Sequence, residues 1–159
     1  MKKFFLTIFL ISALTSNLFA ASSSSGSSTK SNYDQAVKLI KSAKNYEKKG
    51  KLDKAIKRYE KAFKLLIKSN KKKPSHPDTL NYLGFTSRKI GNYEVAEKYY
   101  LEGLAIDPNH NGINEYLGEL YVKTNRIEKA KERLEVLKNC NCEEFQELNN
   151  VINSGISKY

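Results

Sequence analysis

The chain has 159 residues, a formal charge of +11, 28 % charged and 40 % hydrophobic residues, ten tyrosines, two cysteines and no tryptophan. That balance suits one soluble domain of modest size. The charge is uneven, with a net +12 over residues 30–73 and −3 over residues 74–159, which excludes a uniform polycation and makes the molecule a dipole with a basic front.

Residues 1–20 carry two lysines, an apolar run from Phe4 to Leu14 and then Leu18-Phe19-Ala20, the three-part layout of a secretory signal peptide. The apolar run is short for a permanent membrane anchor, and no cysteine follows it as a lipid-anchored lipoprotein would need. Cleavage after Ala20 is expected, with an uncleaved anchor as the alternative, and the compartment expected is periplasmic or secreted. Residues 21–30, mostly serine, can bury no core and are expected to form a flexible leader.

A domain is expected over residues 31–156. Ser31 or Asn32 caps a helix running to about Lys49, with Asp34 in its first turn; Gly50 ends it, and Leu52 to about Asn70 forms a second helix. The stretch 79–110 reads as two further amphipathic helices. Gly91 turns the chain between them, Asp107-Pro108 ends the pair, and Gly84, Ala96 and Gly103 sit where the helices must approach closely. Glycine inside a helix costs about 1 kcal/mol relative to alanine, so these positions point to tight packing. In the next segment Asn125 occupies the turn position held by Gly50 and Gly91, and asparagine is the next residue after glycine to accept left-handed angles. A last helix over about 142–153 begins with Glu143 and Glu144 and carries Phe145, Leu148 and Ile152 as its apolar stripe.

Leu80, Leu83, Gly84, Tyr93, Ala96, Tyr100, Gly103 and Pro108 fall in a pattern that resembles the tetratricopeptide repeat (TPR). The pattern returns in register as Leu117, Gly118, Tyr121, Ile127, Ala130, Leu134 and Leu137, and more loosely as Leu39, Ala43, Tyr46, Gly50, Leu52, Ala55, Tyr59 and Ala62. The resemblance implies an all-α solenoid of helical hairpins: three repeats at about 36–69, 77–110 and 111–142, and a C-terminal capping helix. About seven extra residues between the first two repeats, ending in Lys71-Lys72-Lys73-Pro74-Ser75-His76, put the register of repeat one in question. The ending, two cysteines then Glu-Glu-Phe, is similar to that of small exported TPR proteins of Gram-negative bacteria.

In TPR proteins the first helices of the hairpins line a concave groove where partners dock. The resemblance therefore implies partner-binding positions at Asn81, Phe85, Arg88 and Lys89 in repeat two and Glu115, Glu119, Val122 and Lys123 in repeat three. By looser alignment Ile40, Lys44, Glu47 and Lys48 follow from repeat one. Phe85 has an equal second reading, packing against the neighbouring repeat. Ile40, Gly112 and Tyr116 stand where a carboxylate clamp for chaperone tails would need a fixed Lys/Asn/Arg set, so that ligand class is not expected.

No activated nucleophile, paired acidic motif or phosphate loop recommends an enzyme, and no cofactor is implied. His76 and His110 lie in different inter-repeat turns and read as solvated turn residues, so no metal site is expected. Cys140 and Cys142 suit a bridge if the backbone bends between the helices; free or intermolecularly joined thiols, and redox or metal chemistry, remain open alternatives. The lysines spread round the first repeat and the scarcity of arginine make nucleic acid an improbable partner. A protein or peptide in the groove is the leading expectation, and an anionic membrane or envelope polymer held by the basic first repeat is the second.

Overall fold

A computed structural model describes residues 30–156, and the signal-peptide reading and most of the serine leader fall outside it. The described residues form seven helices and no strand: α1 (Asn32–Lys48), α2 (Leu52–Lys72), α3 (Pro77–Lys89), α4 (Tyr93–Ile106), α5 (Asn111–Lys123), α6 (Ile127–Leu137) and α7 (Glu143–Ser154). Helices α1 and α2, α3 and α4, and α5 and α6 pack as hairpins, each hairpin rests on the next, and α7 lies on α5 and α6.

The local sequence sets where each helix begins and turns. Ser31 caps α1 in a capping box: its Oγ accepts the Asp34 N–H at 3.1 Å while the Asp34 carboxylate accepts the Ser31 N–H at 3.2 Å. Such a cap contributes about 1 kcal/mol. Pro77 opens α3 where its missing N–H costs nothing. The three intra-hairpin turns each place one residue at positive φ, Gly50 at 68°, Gly91 at 88° and Asn125 at 58°, so the asparagine does take the glycine's place. The extra residues after the first hairpin are mainly helix. α2 runs on to Lys72 because nothing before Pro74 breaks it and lysine is a good helix former, so the connection to α3 shrinks to residues 73–76.

Small residues at the helix contacts let the layers nest. A methyl group on Gly84 would stand 2.6 Å from Cδ1 of Tyr100, inside the second hairpin. One on Gly103 would stand 2.5 Å from Cδ1 of Ile113 in α5, and one on Gly118 would stand 2.5 Å from Cδ2 of Leu148 in α7. The same device thus closes a hairpin, joins two hairpins and seats the last helix. The buried residues form two clusters, one with Tyr59, Leu66, Leu80 and Leu83 and one with Tyr100, Ile113 and Leu117, and Tyr116 packs against both.

Candidate functional site

The first helix of each hairpin contacts the first helix of the next, so α1, α3 and α5 follow one another along one face. The residues expected to line a groove on this face are largely buried, and they bond one another across the repeat boundaries. Phe85 is fully enclosed. Its ring meets Tyr59 edge-on at 5.7 Å and Tyr116 at 5.0 Å, and the Lys44 ammonium lies 4.8 Å from its centroid. Of the two readings of Phe85, groove contact and packing against the neighbouring repeat, the structure shows the packing. Its position next to Tyr59 and Tyr116 depends on how far successive hairpins rotate, which the repeat pattern does not encode.

Charges are treated in the same way. Arg88 Nη1 donates to Glu119 Oε2 at 2.7 Å, and the two side chains are 4 % and 0 % exposed. Lys89 Nζ bonds Glu47 Oε1 at 2.5 Å, and the Tyr59 hydroxyl donates to the other Glu47 oxygen at 2.8 Å. Lys44 Nζ reaches the Tyr116 hydroxyl at 3.4 Å. Burial lowers the pKa of the Lys44 and Lys89 ammonium groups, with nearby glutamates opposing the shift. Burial raises the Tyr100 and Tyr116 hydroxyls, which stay protonated.

Glu115 is also enclosed. Desolvation, a hydrogen bond with Glu147 of α7 and the nearby Glu119 push its carboxyl up to about 10, so at neutral pH it keeps its proton and donates to Glu147. Asn81 is buried as well, its amide nitrogen beside Gly112 of α5. Of the twelve expected contact residues, Asn81, Phe85, Glu115 and Glu119 thus belong to the seams between repeats, Ile40 is buried in the core, Glu47 is held by Lys89 and Tyr59, and Lys44 is half-buried above Phe85. Lys48 is exposed.

Arg88, Lys89, Val122 and Lys123 are brought together. With Tyr93, Gly155 and Ile156 they line a cleft of about 390 Å³ at the C-terminal ends of α3 and α5. Tyr93 reads in the sequence only as a repeat position, and Ile156 lies beyond the last expected helix; it is 73 % exposed and one residue past Gly155, whose left-handed conformation ends α7. Lys123 is exposed at the rim, so the cleft offers cationic and apolar groups side by side.

His110 is a structural clip, not a solvated turn residue. Its Nδ1 accepts the Ile113 N–H at 3.2 Å, capping α5, while Nε2 lies 3.0 Å from Asp78 Oδ1 at the start of α3. Among the described residues no three His, Cys, Asp or Glu side chains group as metal ligands would. Cys140 and Cys142 are joined, with Cα atoms 5.2 Å apart, across Asn141 at φ 49°; the left-handed asparagine supplies the bend that the bridge requires. Among the described residues no helix is long and apolar enough to cross a membrane.

The profile of the tetratricopeptide repeat family matches residues 34–109, which hold the first two of the three stacked hairpins. Over those residues the chain is a tetratricopeptide-repeat protein. Among solved structures, this TPR protein is similar to the type III secretion translocator chaperone SycD of Yersinia enterocolitica in its alternative dimer, at 22 % identity and a TM-score of 0.55. That likeness covers 77 % of this chain and 89 % of the other. A tetratricopeptide repeat protein from Parabacteroides merdae aligns at 15 % identity over 77 % of this chain and 60 % of its own, with a TM-score of 0.51. A curated relative, the uncharacterized protein ycf37 of Guillardia theta, is 39 % identical over 59 residues, 36 % of this chain. The TPR protein matches only 33 % of that relative's length.

Proposed function

We propose that this TPR protein is a non-enzymatic interaction module of the bacterial envelope, which holds a peptide or protein segment in the cleft bounded by Arg88, Lys89, Tyr93, Val122, Lys123 and Ile156. The observation that carries the proposal is the division of labour on the inner face. Most of the polar groups there are spent on seams between repeats, whereas the cleft leaves apolar surface beside the exposed Lys123. A cleft of this kind favours a segment with an acidic side chain next to an apolar one. The signal-peptide layout of residues 1–20 and the Cys140–Cys142 bridge support the envelope assignment, because such bridges persist in oxidising compartments.

Peptides selected from a random display library against residues 21–159 should be enriched in acidic-plus-apolar pairs, and should lose binding to Lys123→Glu and Val122→Asp variants that melt like the parent. Selected peptides that bind the variants as tightly as the parent would remove the cleft from consideration. Alkaline phosphatase fused after residue 159 should be active in intact cells if the chain is exported; an active β-galactosidase fusion in its place would contradict the envelope assignment.

A further inference from the structure

The first hairpin holds most of the molecule's positive charge, and the structure shows how α2 arranges its share. Lys54, Lys57, Lys61, Lys64, Lys68 and Lys71 follow one another at steps of three or four residues, so they form a single row along the helix. All six are exposed, while Ala55, Tyr59, Ala62 and Leu66 on the opposite side are buried. None of the ion pairs among the described residues involves any of the six. At 1.5 Å per residue the row is about 26 Å long, with roughly 5 Å from one lysine to the next. Asp53 and Glu60 flank it and are also exposed.

Six like charges held in line by a rigid helix repel one another, an arrangement relieved by a partner whose negative charges repeat along a line. The chemistry of the row narrows that partner. Lysine is a point charge without the forked geometry of arginine, so the row reads charge and spacing, not the shape of an individual group. Arg58 stands off the row; it and Lys54, at the row's N-terminal end, lie over the Tyr46 ring of α1 at 5.9 and 6.0 Å. Tyr46 lies against one end of the row, under Lys54, and none of the six positions is aromatic, so the row offers no succession of rings on which nucleic-acid bases could stack. No apolar side chain stands in it to enter the acyl boundary of a bilayer, since the exposed Leu52 and Ile56 lie on another face of the helix. What fits is a flexible, hydrated chain bearing one negative charge per repeating unit, at a repeat close to the lysine spacing.

We infer that the outer face of α2 is a docking strip for a linear acidic polysaccharide that carries one carboxylate on each sugar ring. The strip is separate from the cleft between α3 and α5, so either site stands if the other fails. Each ring spans a distance comparable to the step between neighbouring lysines, so successive carboxylates meet successive ammonium groups without either partner having to fold.

Fluorescently labelled polygalacturonate oligomers of graded length, titrated with residues 21–159 and followed by anisotropy, test the inference. Affinity should rise with length up to about six sugars, one for each lysine of the row, and then level off. It should fall steeply with salt, with a log–log slope on the order of −4 for six contacts at about 0.7 per contact. The triple variant Lys57→Glu, Lys64→Glu, Lys68→Glu should bind at least about tenfold more weakly and show a shallower salt slope. The same charge change at Lys98, Lys129 and Lys131, also exposed but in later repeats, should leave binding nearly intact. Thermal melts of both variants establish that they are folded. The inference is overturned if no oligomer binds at low salt or if the two triple variants lose affinity equally. Single-stranded polythymidine or anionic phospholipid vesicles binding more tightly than polygalacturonate would overturn it as well, and would assign the row to nucleic acid or membrane.

Discussion

Replacing Glu115 with glutamine should flatten the dependence of stability on pH. In the folded chain desolvation, Glu147 and Glu119 raise the Glu115 carboxyl to about 10, whereas in the unfolded chain it titrates in the ordinary range near 4.5. Because the folded value is the higher, the stability tied to this proton is complete below the unfolded pKa and is lost as pH rises towards 10. Between those limits the unfolded chain has released the proton and the folded chain has kept it, so one proton is worth about 1.4 kcal/mol per pH unit.

From pH 6 to 8, two units, that amounts to a loss of about 3 kcal/mol, or a fall in Tm of several degrees for a domain of this size. The groups that bear on Glu115 are Glu119 of its own helix, Glu144 and Glu147 of α7, and Lys44 of α1. Burial lowers the Lys44 pKa, which acts in the opposite sense at the alkaline end, so the comparison belongs below pH 8.5. Glutamine retains a donor for Glu147 but has no proton to lose, and the Tm of Glu115→Gln should vary less with pH than that of the parent. Parallel curves of Tm against pH for the two proteins would refute the buried, protonated carboxyl.

Two further perturbations probe the packing. Gly84→Leu should destabilise the chain by about 1 to 3 kcal/mol or more in chemical denaturation, because even its Cβ would enter the Tyr100 ring; an unchanged midpoint would contradict the contact. Arg88→Leu should cost about 3 to 5 kcal/mol by leaving Glu119 buried without its cation, and Arg88→Leu with Glu119→Leu should recover most of that loss; a double variant no more stable than the single one would show that the pair is not what the arginine is for.

The sequence made the turns and close contacts readable because each follows from one residue and its neighbours. Gly50, Gly91 and Asn125 hold left-handed angles that few residues tolerate, and Gly84 and Gly103 interrupt helices where only close packing offsets their cost. The length of α2 was less readable, since its last residues are solvated lysines without apolar periodicity to mark an end. The inner face resisted for a different reason. Whether Phe85, Arg88 and Glu119 face solvent or one another depends on the rotation between hairpins, which arises from the whole stack. His110 does carry a local signal: it immediately precedes an apolar-periodic segment, the place of a helix cap.

The ionic pairs on the inner face have a mechanical consequence. Arg88 with Glu119 and Lys89 with Glu47 each join helices of successive hairpins, so changing the curvature of the coil would mean separating opposite charges in a medium that does little to solvate them. A solenoid built this way resists flexing like a spring whose coils are pinned together. Whatever it holds must accommodate itself to a preset arc, and any adjustment on the protein's side falls to the loose ends of side chains such as Lys123 and Ile156.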